Sequence, residues 1–411
     1  MSKLDELIAE LCPDGVAYKE LGKVVEIRSG WGFPNKEQGL KHGEIPFYKV
    51  GDMNHEKNQQ IMTVANNYIS LDIAKRLRCN PAPKGTIIFP KIGAAIRTNK
   101  KRILGQTACY DNNVVGLIVG NDVLSRFLFF IMDSISLIDF ADYSGAMPSI
   151  RKSTLEKYKI PIPPLPVQQE IVRILDNFTE LTTQLTAELK AEIEARKKQY
   201  EYYRDWLLSQ EELNRLCPDG VEYVSIGNVV NYEQPSKYIV KSTDYSDEFS
   251  IPVLTAGQSF ILGYTNEIDN IYKASKENPV IIFDDFTGAF KWVDFPFKVK
   301  SSAIKMLTAN SDIVTLRYIY HVMGNIGYSS DEHKRLWISI YSAIKIPVPP
   351  LPVQQEIVRI LDNFTESTAE LTVELETELE ARQKQYEYYR DKLLTFPARS
   401  KDVKESKEAT V

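Results

Sequence analysis

Two long stretches of the chain carry apolar residues at helical spacing without interruption. From Val167 to Ser209 there is no Pro or Gly, and residues 353–394 show the same pattern. Pro166 precedes the first stretch, at a position where a helix favours proline in its first turn. Each stretch therefore predicts a single helix of about 43 residues, roughly 64 Å long at the usual rise per residue.

A helix of that length needs a partner to cover its apolar stripe. Ile171, Ile174, Phe178, Leu181 and Leu185 are three or four positions apart, which is typical of a coiled coil, and the second helix is the natural partner. Tetrads with an apolar residue at every fourth position fill 178–193 and 364–379. Because four residues exceed a 3.6-residue turn, we expect these tetrads to relax a left-handed supercoil.

The segments between the helices have a different pattern. Short apolar runs such as GTIIFP (85–90), VVGLIV (114–119) and PVIIFDDF (279–286) lie between turns rich in Gly, Asn, Asp and Pro. Runs of this kind predict strands. Each long helix is therefore preceded by a mixed α/β domain.

The chain is also internally repeated. The 17 residues PLPVQQEIVRILDNFTE occur at 164–180 and at 350–366, each after a proline-rich strap, and LCPDGV occurs at 11–16 and 216–221. The order is domain, helix, domain, helix, which would close into a cycle if the chain's end met its beginning. The predicted fold class is α+β: two mixed α/β domains separated by two long antiparallel coiled-coil helices in a pseudo-two-fold circular arrangement.

The predicted boundaries follow from these repeats. They are 1–16 for an N-terminal helical segment that completes the circular repeat, 17–158 for the first domain, 159–215 for a strap and the central long helix, 216–345 for the second domain, 346–395 for a strap and the C-terminal long helix, and 396–411 for a flexible tail.

Charge is distributed unevenly, although the net charge is only -5. Residues 17–158 hold 20 Lys or Arg against 13 Asp or Glu, whereas residues 222–345 hold 12 against 14. Nine basic side chains fall within 73–110, which indicates either a surface for a polyanion or a solvated face. No apolar run is long enough to cross a bilayer and the N-terminus does not resemble a signal peptide, so we expect a cytoplasmic protein with no membrane contact.

Motifs for catalysis are not found in the sequence. There is no GxxxxGK[ST] phosphate loop, no Gly-rich loop suited to S-adenosylmethionine, and no Asn/Asp-Pro-Pro-aromatic site for a flipped base. The four histidines and four cysteines lack metal-ligand spacing. Asp284 and Asp285 could bind Mg²⁺, but paired carboxylates at a strand end are more often structural. The sequence favours a protein that reads a ligand without catalysing a reaction, with no catalytic and no metal-binding residues.

These features resemble the specificity subunit of type I restriction-modification enzymes. The likeness covers nearly the whole chain and rests on the duplicated IPxPPLPxQQxIV motif that begins each long helix. In the first domain, SGWGFPNKEQ, GEIPFYKVGDMN, KGTIIFPKIGAA and SGAMPSIRK are similar to recurring segments of the family's target recognition domains, whereas YEQPSKYIV and IIFDDFTGAFKWVDF resemble a different domain type. TAEL at 186–189 and 368–371 is similar to the tetrapeptide repeat of the IC group, in which repeat number sets the spacing between half-sites.

The resemblance implies a non-catalytic subunit that binds double-stranded DNA. It implies two modification subunits, which carry S-adenosylmethionine and methylate adenine, and two restriction subunits, which use ATP and Mg²⁺; no cofactor is expected in this chain. Two alternatives are a self-contained restriction enzyme, which the missing motifs argue against, and a coiled-coil scaffold that spaces two protein-binding domains.

The candidate DNA contacts are polar, basic and aromatic residues in or beside the predicted loops. After the strand IIFP, the segment GAAIRTNKKR predicts a hairpin that can offer Arg97 to a base edge and Lys101 to a phosphate. The residues predicted to contact DNA are Ser29, Trp31, Phe33, Lys36, Lys91, Arg97, Lys100, Lys101 and Arg102 in the first domain, and Lys237, Tyr238, Gln258, Thr287, Lys291, Lys334, Arg335 and Trp337 in the second.

Overall fold

The computed structural model describes residues 2–257, 259–310, 312–326 and 335–399. The chain divides into two compact units. Unit 1 comprises Met1–Thr186 with Thr377–Val411, and unit 2 comprises Ala187–Glu376. Both long helices therefore run through both units.

Unit 1 contains the elements that precede the first long helix and the start of that helix. In chain order they are α1 (Lys3–Leu11), β1 (Ala17–Glu20), α2 (Leu21–Val24), β2 (Val25–Ser29), β3 (Ile45–Tyr48), β4 (Ile61–Met62), β5 (Tyr68–Ile69), α3 (Leu71–Arg76), β6 (Ile87–Pro90), β7 (Arg102–Leu104), β8 (Cys109–Tyr110), β9 (Val114–Val119), α4 (Ser125–Asp133), β10 (Ala141–Asp142), β11 (Ser149–Ile150), α5 (Lys152–Lys157), β12 (Lys159–Ile162) and α6 (Leu165–Leu207).

Unit 2 contains the elements between the two long helices and the start of the second. They are α7 (Gln210–Leu216), β13 (Glu222–Ser225), α8 (Ile226–Val229), β14 (Val230–Glu233), β15 (Ile251–Leu254), β16 (Ile261–Thr265), β17 (Val280–Asp284), β18 (Phe290–Val293), β19 (Lys298–Val299), β20 (Ile304–Ala309), α9 (Leu316–Ile326), α10 (Leu336–Ser339), β21 (Lys345–Val348) and α11 (Leu351–Leu394).

The two units share a core topology although the sequences of their domains differ, and unit 1 adds the edge strand β4 and the strand pair β10-β11. Unit 1 has sheets ordered β2-β9-β6-β7-β4 and β5-β3-β8, and unit 2 has sheets ordered β14-β20-β17-β18 and β16-β15-β19. In each unit a two-stranded antiparallel pair, β1 with β12 or β13 with β21, brings the first and last strands of the domain together. The prediction of two mixed domains and two long helices is therefore confirmed.

The predicted elements mostly match the structure. The long helices begin two residues earlier than predicted, the predicted strand at 114–119 is β9, and β6 and β7 form the expected antiparallel hairpin with a 3-10 helix, Gly93–Thr98, between them. The predicted helix stripe is wrong at one position, because Leu181 is 64% exposed whereas Leu175 is fully buried. The buried face runs through Ile171, Leu175 and Phe178, which also have helical spacing.

Identical glutamines fasten each domain to its long helix. Gln168 and Gln354 are the same residue of the duplicated stretch, and both are fully buried. The Gln168 side-chain amide accepts from Leu124 N (2.9 Å) and donates to the carbonyl oxygens of Asp122 (2.9 Å) and Pro163 (2.8 Å). The amide of Gln354 makes the matching three bonds in unit 2, to Thr315 N and to the carbonyl oxygens of Ile313 and Pro349. The duplicated stretch is therefore a structural clamp in both units.

The long helices also contact one another inside each unit. In unit 1, Phe178 of α6 stacks on Tyr389 of α11 with ring centroids 5.4 Å apart. In unit 2 the same two repeat positions exchange helices, because Tyr203 of α6 stacks on Phe364 of α11 at 4.9 Å. Neither helix, nor any other helix among the described residues, has an apolar stretch sufficient for a membrane span.

The C-terminal end of α11 is followed by an ordered segment. The tail predicted to be flexible from residue 396 is held in place as far as Arg399, because Phe396 is only 7% exposed and Val16 forms a parallel bridge with Ala398. Residues 400–411 lie outside the described residues.

Candidate nucleic-acid interface

Three strand ends of the larger sheet in unit 1 form one polar surface, which we call the strand-end surface. Antiparallel pairing sets the end of β2 and the end of β6 against the start of β9, since Ser29 pairs with Val115 and Pro90 with Val114. Lys91 follows β6 directly, and its Nζ donates to Ser29 Oγ at 2.9 Å. Two side chains predicted to contact DNA, 62 residues apart in the chain, are therefore in direct contact.

A close backbone approach continues this surface from Ser29 to Trp31. A Cβ on Gly30 would lie 2.0 Å from the carbonyl oxygen of Asp111, so only glycine fits there. Trp31 then bridges to Asp111, and its ring lies 5.6 Å from that of Tyr110. Burial raises the pKa of the Asp111 carboxyl and lowers the pKa of the Lys91 ammonium. The surface thus contains the half-buried Trp31 ring and two groups of opposite charge, the Asp111 carboxylate and the Lys91 ammonium.

Phe33 and Lys36 occupy the loop that leaves this surface, and they differ in exposure. Phe33 is half-buried and stacks on Phe47 with centroids 3.8 Å apart, and its carbonyl oxygen accepts from Gln38 Nε2 at 2.8 Å. Lys36 lies on the 3-10 helix Asn35–Glu37 and is exposed. The structure gives Phe33 a packing role and leaves Lys36 available to a ligand.

The basic segment after β6 does not form one continuous surface. Arg97 is exposed, and no other described residue makes an ion pair with it. Lys100 is half-exposed and donates to the side-chain oxygen of Asn54. Arg102 is partly buried and donates to the carbonyl oxygens of Lys101 (2.8 Å) and Met53 (3.2 Å). Of this segment, Arg97 is the residue most open to a ligand.

Lys101 lies inside unit 1, whereas the sequence predicts a phosphate contact there. Its residue exposure is only 2%. Its Nζ donates to Asn99 Oδ1 at 2.8 Å and to the carbonyl oxygen of Ile135. Burial lowers the pKa of Lys101 to about 8. Because the ammonium is enclosed by protein acceptors, Lys101 cannot reach a phosphate in this conformation, and we assign it a structural role.

Unit 2 has a strand-end surface at the matching place, built from other residues. The end of β14, the end of β17 and the start of β20 meet there, and Gln234 stands where unit 1 has Ser29. Lys305 Nζ lies 3.1 Å from Asp285 Oδ2, and both side chains are at most 1% exposed. Lys305 Nζ also donates to Gln234 Oε1 at 3.0 Å. A buried ion pair with this additional bond fixes the orientation of the exposed Gln234 amide.

The orientation of Gln234 has a chemical consequence. Lysine can only donate, so the oxygen of the Gln234 amide points to Lys305 and the NH₂ group faces outward. Ser29 Oγ likewise accepts from Lys91 and keeps its own proton for an outside acceptor. Each strand-end surface therefore presents a hydrogen-bond donor, which suits the acceptor atoms of base edges or phosphates.

Three of the predicted second-domain residues lie around this buried pair. Thr287 is exposed in the turn after β17, where its N–H donates to Asp284 Oδ1 at 2.9 Å, and Arg335 is exposed next to Leu336, whose N–H donates to the carbonyl oxygen of Asp285 at 2.7 Å. Trp337, by contrast, is 1% exposed. Its indole ring packs on Phe283, so it supports the surface from below and does not face a ligand.

The other predicted second-domain residues are placed as follows. Lys237 is exposed but paired with Glu233 at 2.7 Å, and Tyr238 donates to the same carboxylate at 3.2 Å. Lys291 is half-buried within β18, opposite Ile282. Gln258 and Lys334 lie outside the described residues.

Sequence reasoning missed Gln234 and Lys305. Gln234 was within reach, because it follows a strand-like run as Ser29 does, and YEQPSKYIV marks the segment. Lys305 gives no such signal, because a lysine within an apolar run is expected to be exposed. Only the strand pairing places it beside Asp285. Asp284 and Asp285 act structurally, as their position at a strand end indicates, with Asp285 Oδ1 accepting from Trp337 N at 2.8 Å.

Comparison with protein families and known proteins gives consistent results. The profile of the family described as "Type I restriction modification DNA specificity domain" matches residues 13–195 and 218–381. The specificity subunit of the type I restriction enzymes EcoR124I and EcoR124II of Escherichia coli is 56% identical over 190 residues, which cover 43% of this chain and 46% of that protein. That match spans less than half of the relative's length.

Two further proteins are similar over more of the chain. A putative type I restriction enzyme specificity subunit of Haemophilus influenzae is 32% identical over 309 residues, which are 69% of this chain and 76% of that one. A solved structure described as the "Structural basis underlying complex assembly and conformational transition of the type I R-M system" contains a chain of similar fold. That chain is 16% identical to this one, with a TM-score of 0.58, and the match covers 93% of this chain and 98% of that chain. At that identity the likeness concerns the fold alone.

Proposed function

The chain belongs to the type I restriction modification DNA specificity family, and on that premise we propose that it is the DNA sequence-specificity subunit of a type I restriction-modification complex. Each of its two recognition domains reads one half of an asymmetric, bipartite site in double-stranded DNA. The chain catalyses no reaction itself, and it binds its DNA site in the cytoplasm.

One observation carries this proposal. The two units repeat a single framework, with four strands of the larger sheet in matching order and identical glutamine clamps, but the side chains of the strand-end surface differ between them. Unit 1 presents Ser29 and Lys91, and unit 2 presents Gln234 over a buried ion pair. A common scaffold with different polar surfaces is what separate reading of two different half-sites requires.

The proposed contacts divide into base readers and phosphate contacts. Ser29 and Gln234 each hold an outward donor in a fixed orientation, which supports reading of an acceptor on a base edge. Lys36, Arg97 and Arg335 are exposed cations, and such side chains bind phosphates or guanine edges. The near-neutral charge of the second domain fits a larger share of polar contacts there.

We further propose that the catalytic steps belong to partner subunits. Two modification subunits would supply S-adenosylmethionine and methylate adenine, and two restriction subunits would use ATP and Mg²⁺ for cleavage. The long helices are the proposed docking surface for these partners and the spacer between half-sites. The solved structure of similar fold comes from work on the assembly of such a system, which supports the proposal by analogy.

Exchange of one recognition domain tests independent reading. Residues 222–344 are replaced by the equivalent segment of another specificity subunit, and the methylated sites of the reconstituted enzyme are mapped. The second half-site should change while the first half-site stays intact. The matched control replaces residues 17–158, which begin at β1 as residues 222–344 begin at β13, and should change the first half-site only. Changes in both halves after either exchange would contradict the proposal.

The scaffold alternative is separated by DNA binding itself. A gel shift with the complete chain and its modification subunits should show one sequence-specific complex that survives competition by unrelated duplex. If the chain is instead a scaffold that spaces two protein-binding domains, replacing Ser29 or Gln234 should not change which DNA sequence the complex binds. Binding that is equal for all duplexes would favour the scaffold.

A further inference from the structure

The repeated turn LCPDGV is covered in unit 1 by the segment that follows α11. The N–H of Val16 donates to the carbonyl oxygen of Pro397 at 2.8 Å, and the N–H of Arg399 donates to the carbonyl oxygen of Val16 at 3.3 Å. The hydroxyl of Tyr18 donates to the carbonyl oxygen of Phe396 at 3.0 Å. Val16 is 1% exposed as a result. An extended segment thus adds to the turn by main-chain bonds.

The identical turn in unit 2 has no such cover. Its own internal bond is the same, since Gly220 N donates to the carbonyl oxygen of Cys217 at 2.9 Å as Gly15 N does to Cys12 at 3.0 Å. Val221, however, has no backbone hydrogen-bond partner anywhere in the described ranges. Gly220 is exposed, and Tyr223, the counterpart of Tyr18, is 40% exposed.

The space above the two glycines gives the sharpest difference. A Cβ on Gly15 would lie 2.5 Å from the carbonyl oxygen of Pro397, whereas a Cβ on Gly220 would meet nothing within 4 Å. Both residues have a left-handed backbone, with φ of +90° and +91°. The two turns are therefore alike in sequence and conformation, and differ in whether a segment lies on them.

The connections explain why only one turn is covered. After α6 ends at Leu207, two residues lead straight into α7, so this connection leaves no spare segment to lie on the turn. After α11 ends at Leu394, the chain runs on through Phe396 and Arg399 across the turn of unit 1. Unit 2 therefore has the same turn backbone, but the described chain places no segment on it.

Charge around the open turn limits its occupant. Asp219 and Glu222 are exposed beside Gly220, which disfavours a nucleic acid and favours a basic group. In unit 1 the covering segment ends in Arg399, whose N–H bonds to Val16, two residues after the exposed Asp14. We propose that residues 217–221 bind an extended segment of a protein partner, with an aromatic residue, Pro, a small residue and a basic residue in that order.

This docking site is independent of DNA reading, and the chain supplies the probe. A peptide with the sequence of residues 394–399, with benzoylphenylalanine in place of the phenylalanine, is photo-crosslinked to the complete chain. Peptide mapping should locate the adduct within residues 213–223. A control peptide N-methylated at its arginine lacks the donor that Arg399 uses, and we expect at least fivefold less adduct.

Two variants of the chain test the geometry. Gly220→Ala places a Cβ where the peptide carbonyl must lie and should reduce the adduct at least fivefold. Because a left-handed alanine is strained, its fold is checked by circular dichroism, and Glu222→Lys, at an exposed position, gives a second test with the same expected direction.

Three outcomes of the crosslinking would overturn the proposal. They are no localised adduct, an adduct at residues 8–18 in place of 213–223, and an adduct that both variants leave unchanged. A dimer held by exchange of residues 395–399 between two chains, seen by light scattering and dissolved by the peptide, would identify a second copy as the occupant and would also overturn it.

Discussion

Replacing Gln168 with alanine should loosen unit 1 at the point where its domain joins α6. The fully buried side chain makes three hydrogen bonds to main-chain groups. Each bond contributes about 1–1.5 kcal/mol net, and truncation leaves its partner unpaired in the interior. We therefore expect Gln168→Ala to lower the free energy of unfolding of unit 1 by about 3–5 kcal/mol.

The neighbouring residue is a matched control for this change. Gln169 has the same side chain but is exposed, so Gln169→Ala should alter stability by less than about 0.5 kcal/mol. Because the two units need not unfold together, amide hydrogen exchange followed by mass spectrometry is a better assay than one melting curve.

The assay has a specific readout at Leu124, whose N–H donates to the lost oxygen. Its exchange should accelerate by about a hundredfold to a few thousandfold in Gln168→Ala, since every 1.4 kcal/mol is a factor of ten. Exchange in unit 2 should be unchanged, and Gln354→Ala should give the reverse pattern at Thr315. Equal exchange at Leu124 in both Gln168→Ala and Gln169→Ala would refute the clamp.

Three further changes test other parts of the structure. Gln234→Glu keeps the acceptor for Lys305 but turns the outward donor into an acceptor, so methylation of variant sites should lose about 1–3 kcal/mol of discrimination at one position of the second half-site only. The pKa of Lys101 is lowered to about 8 by burial, so the unfolded chain binds more protons above that pH; the free energy of unfolding should rise from pH 8 to about 10.4, and in Lys101→Met this rise should be smaller. Gly15→Ala and Gly220→Ala share the left-handed strain, but only the first meets the carbonyl of Pro397. Measured by hydrogen exchange, the stability of unit 1 should fall further in Gly15→Ala than that of unit 2 in Gly220→Ala; equal losses would mean that the covering segment adds nothing.

The long helices and several strands follow from local pattern alone. Periodicity and the absence of Pro and Gly define α6 and α11 within two residues, and a run of apolar residues between turn signals defines β9. The buried face of α6 is harder to predict, because two sets of positions have helical spacing. They are 171, 174, 178 and 181, and 171, 175, 178 and 182. Packing against the domain selects the second set, because it buries Leu175 and leaves Leu181 exposed.

The strand-end surfaces could be predicted only in part. Ser29 and Lys91 each end or follow a strand-like run, and strand pairing brings them together. Lys101 reads as one more cation in a basic segment. The left-handed Asn99, with φ of +54°, turns the chain there so that Lys101 faces the carbonyl of Ile135. Such a turn depends on distant contacts, including Leu137 N to Asn99 Oδ1 at 2.8 Å, that a local pattern does not contain.

Lengthening both helices tests the central claim, that two separate readers are held at a distance set by the helices. Since α6 and α11 each run through both units, a Thr-Ala-Glu-Leu tetrad is inserted after Leu189 and after Leu371 together. Four residues add about 6 Å of helix, which corresponds to one to two base pairs of B-DNA at about 3.4 Å each. The added tetrad also turns the helix by about 40° beyond a full turn.

Methylation mapping of the reconstituted enzyme then gives the decisive measurement, with each single insertion as a control for mismatched helices. The double insertion should leave both half-sites unchanged and enlarge only the unread spacer, by one to two base pairs. Altered half-site bases with an unchanged spacer would contradict the account.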